Sequence, residues 1–358
     1  MRLWLTLLAN VTSDSVFVEY TSSTGSVSSG DTLNVGDVTY TFGRDVASDT
    51  VLFGVEGLSA EIGGFATVTG DVGFSFVGDE IVAVGSGVGV RVGTDSANVG
   101  LTSADFGLVS NQDGTSFELT NGVFGLNVAN FAGATASSTR VSYSDETSRI
   151  DSGRVLNVGP LSYSFADEIV ADTSLVTVEG FAAEVGGFVD LSGDLGFSFI
   201  SGDLVAVGSN VGARLGTDSI YVGVSGANFG LRHDADGTNF ELTGGVVESS
   251  LGGIGSFDAG SVTVQYSDLG TSVTAGERLT VGSLSYDFVE GLGSDAIAGF
   301  AIEGFGLTAA NFVRLSGDVG IKQDGSKLIA VGSNVGASLG TDSVGVCWCK
   351  PKQCGLWS

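Results

Sequence analysis

The sequence predicts an all-β protein made of tandem modules of long antiparallel strands, arranged as a curved meander or a sandwich and elongated as a whole. Polar and apolar residues alternate with a period of two in runs that are bounded by turn residues. The chain has 58 glycines and only 2 prolines, and no stretch shows a helical period. One β-rich stretch occurs three times, beginning at Gly70, Gly193 and Gly317. Together these observations favour a repeated sheet.

The repeat has a constant interval. Tyr20, Tyr143 and Tyr266 are evenly spaced (143 − 20 = 123 and 266 − 143 = 123). This interval has the size of a whole domain rather than of one turn of a solenoid. The sequence therefore predicts module 1 at 17–139, module 2 at 140–262 and a truncated module 3 at 263–346.

The two ends of the chain fall outside this scheme. Residues 1–16 are interpreted as the remnant of a preceding module or as a start segment, and Met1–Ala9 also resembles a short signal peptide. Residues 347–358 form an aberrant tail that contains all three cysteines, Cys347, Cys349 and Cys354. We hypothesise a slice of a longer array that is closed by a frameshifted or artificial tail.

Each module begins with a predicted hairpin. In module 1 the residues 31–42 alternate around the turn Gly36-Asp37, and modules 2 and 3 carry the counterparts Gly159-Pro160 and Gly282-Ser283. Less regular segments follow, and they are predicted as loops at 44–50, 167–173 and 290–298. Long strands come next, joined by tight turns that need residues tolerating a positive φ. These turns are predicted at Gly78-Asp79, Gly202-Asp203 and Asp324-Gly325.

Parity along the long strands predicts one bulky and one bare face. Val82, Val84, Val88, Val90 and Val92 share one parity, whereas alanine, glycine and one arginine occupy the other. We expect the bulky face to build the core and the bare face to meet water or a close second layer. Later in module 2 the apolar parity switches across residues 225–228, which predicts a bulge or a break there.

Composition and charge narrow the functional classes. The chain is 42% hydrophobic with 22 phenylalanines, so it can bury a core. Its net charge is −27, which disfavours nucleic acid and anionic membranes as partners and favours divalent cations. No stretch approaches the roughly 20 apolar residues that a membrane-spanning helix needs. We expect neighbouring repeats of a longer array, or cell-surface or matrix components, as partners.

The sequence contains no arrangement typical of an active site. His233 is the only histidine, and it lies in a turn of module 2 alone. No nucleophilic serine is repeated together with a histidine, and no glycine-rich run continues into Gly-Lys-Ser/Thr. The cysteines of the tail lack a fourth zinc ligand. The sequence therefore predicts neither catalytic residues nor an organic cofactor, and the protein is interpreted as a non-enzyme.

Calcium is the one ligand that the residues suggest. Acidic side chains recur beside glycine or in Thr-Asp-Ser turns at equivalent positions of the repeats. These candidate ligands are Asp71, Asp194, Asp318, Glu56, Glu179, Glu303, Asp95, Asp218 and Asp342. Calcium takes six to eight oxygen ligands, so carboxylates spread singly along a module must converge in the fold to bind it. The alternative is that these acids shape turns.

The motifs of module 2 resemble a repeat family of very large secreted bacterial proteins. The carriers are Gly186-Gly-Phe-Val-Asp-Leu-Ser-Gly-Asp194, Leu204-Val-Ala-Val-Gly-Ser-Asn-Val-Gly-Ala213 and Val222-Gly-Val-Ser-Gly-Ala-Asn-Phe-Gly-Leu231. Such proteins are adhesins or surface-layer components, often with calcium-binding nonapeptide repeats elsewhere. The resemblance covers about residues 17–346 and implies an extracellular structural role without catalytic residues. The nonapeptide itself is missing, because Gly252-Gly-Ile-Gly-Ser-Phe-Asp258 places its aspartate one position late.

The leading hypothesis is a non-enzymatic extracellular repeat segment, structural or adhesive, that spaces or presents binding domains at a cell surface. Calcium would stiffen it if the repeated acids converge. One alternative is a carbohydrate- or small-ligand-binding β module, which would show one deep pocket repeated in each copy. Another is a fragment of a polysaccharide-active enzyme, which would need two carboxylates in a cleft lined by aromatic residues.

Overall fold

The structure, a computed structural model, describes residues 8–22, 24–62, 66–129, 132–145, 149–200, 203–268, 272–293, 297–324, 327–341, 344–349 and 354–356. All regular secondary structure in these ranges is β, which confirms the predicted fold class. The strands are β1 (Leu8–Thr12), β2 (Ser15–Tyr20), β3 (Thr32–Val35), β4 (Val38–Thr41), β5 (Val51–Ile62), β6 (Ala66–Val77), β7 (Glu80–Gly93), β8 (Ala97–Asn111), β9 (Gly114–Val128), β10 (Ala132–Ser144), β11 (Val155–Val158), β12 (Leu161–Ser164), β13 (Thr173–Val185), β14 (Val189–Ile200), β15 (Asp203–Gly216), β16 (Ile220–Asp234), β17 (Gly237–Leu251), β18 (Gly255–Ser267), β19 (Arg278–Val281), β20 (Leu284–Asp287), β21 (Ile297–Ala309), β22 (Val313–Asp324), β23 (Lys327–Thr341), β24 (Val344–Cys349) and β25 (Cys354–Leu356).

The chain divides into two compact units. Unit 1 comprises residues 1–125 and 139–174, and unit 2 comprises residues 126–138 and 175–358. The boundaries of the units differ from those of the predicted modules, because hairpin β11–β12, which opens predicted module 2, lies in unit 1 with the strands of predicted module 1. Residues 1–7 and parts of the tail (350–353 and 357–358) lie outside the described residues.

Unit 1 contains an antiparallel meander of long strands. β5 pairs with β6, β6 with β7 and β7 with β8, while β1 and β2 share the other edge of β5. The short hairpin β11–β12 forms a separate two-stranded sheet. It packs on the meander through a shared core, which is described below.

Unit 2 repeats this pattern. β14, β15, β16, β17 and β18 pair successively in antiparallel register, and β18 continues through β21 and β22 to β23. β24 and β25 both pair with β23. The hairpin β19–β20 is again a separate two-stranded sheet. The predicted hairpins and the predicted turn at Gly78-Asp79 are therefore confirmed, whereas Gly202 and Gly325 lie outside the described residues.

Bulges near the middle of the long strands interrupt the alternation. In β7 the register shifts by one residue around Gly87, which has a φ of 57°. Since one extra residue moves the following side chains to the other face, Val88 and Val90 do not continue the face of Val82 and Val84. The expectation of one bulky face over all five valines was therefore wrong. In β16 the predicted bulge is confirmed, because the register shifts around Gly226 with a φ of 68°.

The core of unit 1 lies between the meander and hairpin β11–β12. Leu52, Val82, Val84 and Val109 come from the long strands. The remaining buried members come from the hairpin and its flanks and are Ile150, Leu156, Val158, Tyr163, Phe165 and Ile169. Burying one such side chain stabilises the fold by about 1.5–3 kcal/mol. An isolated two-stranded hairpin is at best marginal in water, so the hairpin and the sheet stabilise each other.

The core of unit 2 is built in the same way. Val207 of the meander is buried against residues of hairpin β19–β20 and its flanks. These are Val273, Leu279, Val281, Tyr286, Phe288 and Leu292. Leu175, Val205 and Leu284 pack against this cluster. Each hairpin residue lies one repeat interval after its counterpart in unit 1, so the repeated sequence encodes one repeated packing.

A glycine beneath each docked hairpin allows the close approach. A Cβ atom at Gly73 would lie 2.8 Å from Cγ1 of Val158, and one at Gly196 would lie 2.9 Å from Cγ1 of Val281. A Cβ atom at the equivalent Gly320 would have Cβ of Ala301 as its nearest neighbour, 4.0 Å away. Glycine thus provides the space that the hairpin valine fills.

This difference gives a matched test. Gly196→Ala should lower the free energy of unfolding by about 1–3 kcal/mol, because the added methyl group overpacks the contact with Val281. Gly320→Ala should change it by less than about 0.5 kcal/mol, because the site is open. Urea unfolding of the two variants measures both effects. Equal losses of stability in the two variants would show that the contact with the hairpin does not determine the cost of the added methyl group.

Candidate functional site

The most distinctive site is a buried carboxylate beneath each docked hairpin. In unit 1, Glu118 of β9 has a fully buried side chain. Its Oε2 accepts hydrogen bonds from the hydroxyl of Tyr163 at 2.8 Å and from the backbone N–H of Ala166 at 2.8 Å. Tyr163 belongs to β12 and Ala166 follows that strand, so Glu118 links the meander to the hairpin.

A guanidinium compensates the charge of Glu118. Arg140 of β10 donates hydrogen bonds to Glu118 and to the more exposed Asp167. Burial lowers the pKa of Arg140, but the hydrogen bonds and charges of Glu118 and Asp167 outweigh it and raise the pKa overall. The cation and the hydrogen bonds offset the cost of burying the carboxylate of Glu118.

Unit 2 contains the same arrangement with a neutral amide in place of the guanidinium. Glu241 of β17 is fully buried, and its Oε2 accepts the hydroxyl of Tyr286 at 2.8 Å and the N–H of Val289 at 2.7 Å. Its Oε1 accepts the side-chain amide of Gln265 at 2.9 Å and the N–H of Glu290 at 3.3 Å. An amide therefore occupies the role that a guanidinium has in unit 1.

The tyrosine ring lies over a glycine in both units. A Cβ atom at Gly107 would lie 2.3 Å from Cδ1 of Tyr163, and one at Gly230 would lie 2.4 Å from Cδ1 of Tyr286. Burial raises the pKa of both tyrosines, and their hydrogen bonds to the glutamates add to this effect. The hydroxyls therefore stay protonated as donors. We call each combination of tyrosine, glutamate and glycine a hairpin lock: Tyr163–Glu118–Gly107 and Tyr286–Glu241–Gly230.

The hairpin lock is suited to holding structure together. Both carboxylate oxygens of Glu241, and Oε2 of Glu118, accept bonds from groups of the hairpin or its flank, and the aromatic ring covers the glycine. Charge-assisted hydrogen bonds in a buried site are stronger than neutral ones and fix a geometry. The lock thus attaches a hairpin to a sheet at a defined position.

The three repeated aspartates in Gly-Asp pairs shape the bulges. Oδ1 of Asp71 accepts the N–H of Gly57 at 2.6 Å, Oδ1 of Asp194 accepts that of Gly180 at 2.7 Å, and Oδ1 of Asp318 accepts that of Gly304 at 2.9 Å. These three glycines have positive φ values. Asn334 also donates to Asp318, and the hydrogen bond from Gly304 followed by that from Asn334 lowers the pKa of Asp318. This geometry matches the turn-making alternative.

The repeated glutamates have different neighbours. Oε2 of Glu56 accepts the hydroxyl of Ser15 at 2.5 Å, and Oε1 of Glu179 accepts the hydroxyl of Ser283 at 2.6 Å. Glu303 pairs in register with Ser261 across β18 and β21. The structure therefore brings each glutamate to a serine of a neighbouring segment and not to a shared centre.

The aspartates of the Thr-Asp-Ser turns are exposed. Asp95 accepts a hydrogen bond from Arg91 at 3.1 Å, and Asp218 accepts one from Arg214 at 3.4 Å. Asp342 lies outside the described residues. Among the described residues, no group of three or more histidine, cysteine, aspartate or glutamate side chains is placed to hold a metal ion. Calcium binding therefore stays a prediction.

The bulge aspartates can be tested directly. Asp194→Ala should destabilise the chain by about 0.5–1.5 kcal/mol, because the N–H of Gly180 loses its acceptor. Asp194→Asn keeps an acceptor oxygen and should retain most of this stability. Chemical unfolding with calcium and with chelator measures both variants. If both variants lose the same amount of stability, and only in the presence of calcium, Asp194 would instead be a metal ligand.

Unit 2 also has a small groove, of about 170 Å³, where the beginnings of β14 and β16 lie beside the ends of β15 and β17. Arg214 lies over the ring of Tyr221, with Cζ 4.2 Å from the ring centroid. Asp190 and Glu248 line the same groove. Module 1 has Asn98 one repeat interval before Tyr221, so the aromatic lining is not repeated.

Comparison with protein-family models, with curated proteins and with solved structures finds no match. Within the described residues there is also no helix with the length and hydropathy required to cross a membrane. The repeated geometry of this chain is therefore the basis for its proposed function.

Sequence reasoning did not identify the hairpin lock. Phe117-Glu-Leu-Thr and Phe240-Glu-Leu-Thr recur at the repeat interval, which indicates that the two strands are equivalent but not that the glutamate is buried. The available signal was a glutamate that recurs at the same position of equivalent strands, Glu118 in β9 and Glu241 in β17. A recurring tyrosine in each hairpin, Tyr40, Tyr163 and Tyr286, supplied the second half of that signal.

Proposed function

We propose that this chain is a non-enzymatic repeat segment that acts outside the cell, where it spaces or presents binding domains. The observation that supports this proposal is the hairpin lock, which joins the strands of one repeat to the hairpin of the next in both units. A chain whose repeats complete one another is suited to carrying load. The acidic composition keeps the surface soluble, because molecules that all carry negative charge repel one another.

The spacer role can be tested by stretching the full chain between its ends in a force spectrometer. We expect separate unfolding events, because each locked unit should open cooperatively. The variant Tyr163→Phe/Tyr286→Phe removes both hydroxyl bonds and should lower the unfolding forces, while Tyr20→Phe, at an exposed tyrosine, serves as a control. Smooth extension without separate events would contradict the spacer role.

The extracellular location needs its own test. Protease added to intact cells of the source organism should cleave the chain if it is displayed outside, and protection until lysis would contradict that location.

Stiffening of the chain by calcium is tested by repeating the force measurement with calcium and with chelator. An ion that binds only the folded state must stabilise it as its concentration rises. The bulge geometry of Asp71, Asp194 and Asp318 predicts equal forces in the two buffers.

The groove of Arg214 and Tyr221 supports a second candidate, a carbohydrate- or small-ligand-binding module. It combines an aromatic ring with charged groups, the combination typical of ligand sites. Calorimetric titration with acidic and neutral oligosaccharides tests it, and Tyr221→Asn, which installs the module 1 residue, should abolish any binding. Turnover of an oligosaccharide that depends on Asp190 and Glu248 would instead favour the polysaccharide-active alternative.

A further inference from the structure

The first hairpin of the chain, β3–β4, carries the same apolar face as the two docked hairpins but leaves it uncovered. Val35 is 79% exposed, whereas Val158 and Val281, at one and two repeat intervals further on, are 0% and 1% exposed. Leu33, Val38 and Tyr40 of the same face are also exposed. Large exposed apolar patches mark interaction surfaces.

This hairpin has the conformation of the two docked hairpins, although its apolar face is exposed. Gly30 N–H donates to the carbonyl of Phe42 and Phe42 N–H to that of Asp31, both at 2.8 Å. The corresponding bonds of Phe165 in the second hairpin are 2.8 and 2.9 Å. Tyr40 and Phe42 form an edge-to-face pair at 5.2 Å, as Tyr163 and Phe165 do at 5.5 Å. A preformed element loses little conformational entropy on binding.

The matching acceptor face lies on β22 and β23 in unit 2, and it is also uncovered. Val331 is 54% exposed, whereas its equivalents Val84 and Val207, which contact docked hairpins, are 1% and 0% exposed. Ile329 beside it is exposed as well. The space above Gly320, which valines fill at Gly73 and Gly196, is open.

We propose that hairpin β3–β4 of one chain docks on the face of Gly320, Ile329 and Val331 of a second copy, head to tail. The contact repeats one that the chain makes twice within itself, with Val35 entering the space above Gly320 as Val158 and Val281 enter those above Gly73 and Gly196. The proposal requires only this packing and does not depend on the extracellular role. Because the two surfaces differ, the contact is heterologous and can continue into a filament.

The association should depend on ionic strength. Each copy carries a net charge of −27, so the copies repel one another at low ionic strength. Added salt screens this repulsion and should strengthen the association.

Complementary variants of the full chain test the proposal by sedimentation velocity. Val35→Asp removes the donor face and Val331→Asp removes the acceptor face. Thr41→Asp and Ala330→Asp place the same charge on the opposite faces of the same strands and serve as matched controls. Gly320→Val is a second acceptor variant, since it fills the space without adding charge.

The wild-type chain and both controls should form species larger than a monomer as concentration and salt rise. Val35→Asp, Val331→Asp and Gly320→Val should each lower the association constant at least about a hundredfold, because a charge or an extra side chain would be buried at the contact. An equimolar mixture of Val35→Asp and Val331→Asp should form a one-to-one complex and nothing larger, since only one donor and one acceptor remain.

Three results would overturn the proposal. The first is a wild-type chain that stays monomeric at every concentration and salt level. The second is association of Val331→Asp and Gly320→Val as strong as that of the wild type, which would mean that two hairpins pair with each other. The third is undiminished association of Val35→Asp, which would place the contact on another surface. Circular dichroism and unfolding curves establish that each variant is folded.

Discussion

Replacing Glu118 by alanine is expected to lower the free energy of unfolding by about 3–5 kcal/mol, because it leaves a partly buried guanidinium, a tyrosine hydroxyl and a backbone N–H without their shared acceptor. The lost acceptor serves Arg140, Tyr163 and Ala166. Few single substitutions cost this much. Urea unfolding of the full chain measures the change, and hydrogen exchange of the peptide over residues 155–164 locates it.

A conservative variant separates charge from hydrogen bonding. Glu118→Gln removes the charge opposite Arg140, whereas Glu241→Gln faces the neutral amide of Gln265. Glu118→Gln should therefore cost more than Glu241→Gln. Glu184→Ala, at an exposed glutamate, should change stability by less than about 0.5 kcal/mol. Wild-type exchange of residues 155–164 in Glu118→Ala would contradict the role assigned to the hairpin lock.

Val281→Asp is expected to destabilise the chain by at least about 3 kcal/mol, because it buries a carboxylate in an apolar contact. Val281 is buried among Leu279, Tyr286 and Val207. Val35→Asp makes the same change at the equivalent position of the exposed first hairpin and should alter stability by less than about 0.5 kcal/mol. The pair therefore uses one chemical change in two environments.

The comparison is made by thermal and urea unfolding at concentrations where the chain is monomeric. We expect Val281→Asp to lose the protection of residues 278–287 from hydrogen exchange, while Val35→Asp leaves the wild-type transition in place. Similar small effects for both variants would mean that hairpin β19–β20 is not part of the core. Similar large effects would mean that the first hairpin is also buried.

Local features of this fold followed from the sequence. The hairpin turns at Gly36-Asp37 and Gly159-Pro160 and the bulge at Gly226 depend on a few neighbouring residues, whose backbone preferences fix them. The repeat interval also indicates which residues are equivalent. Leu156 and Leu279 are equivalent residues, and both are buried.

Long-range features could not be predicted in the same way. Strand parity gives the face of a residue only up to the next bulge, and the bulge at Gly87 moves Val88 and Val90 away from the face of Val84. The hairpin β11–β12 joins the strands that precede it, a choice that depends on packing between distant segments. Glu118 reads as a surface residue because its partners Tyr163 and Arg140 are remote in sequence.

Equivalent positions of the repeats can also differ in how exposed they are. Val35 has the sequence context of Val158 and Val281, yet it is exposed because none of the described strands packs on its face. Repetition in the sequence therefore predicts the capacity for a contact, and the contact itself requires a partner strand face.

Hydrogen exchange of the native chain, followed by mass spectrometry at a concentration where it is monomeric, tests the central claim most directly. That claim is that a sheet built from one repeat is completed by the hairpin of the next. Amides of residues 155–164 and 278–287 should then be protected to the same degree as those of β7 and β15, because they open only with their units. Amides of residues 32–41 should exchange much faster. Equal exchange in all three hairpins would contradict the claim.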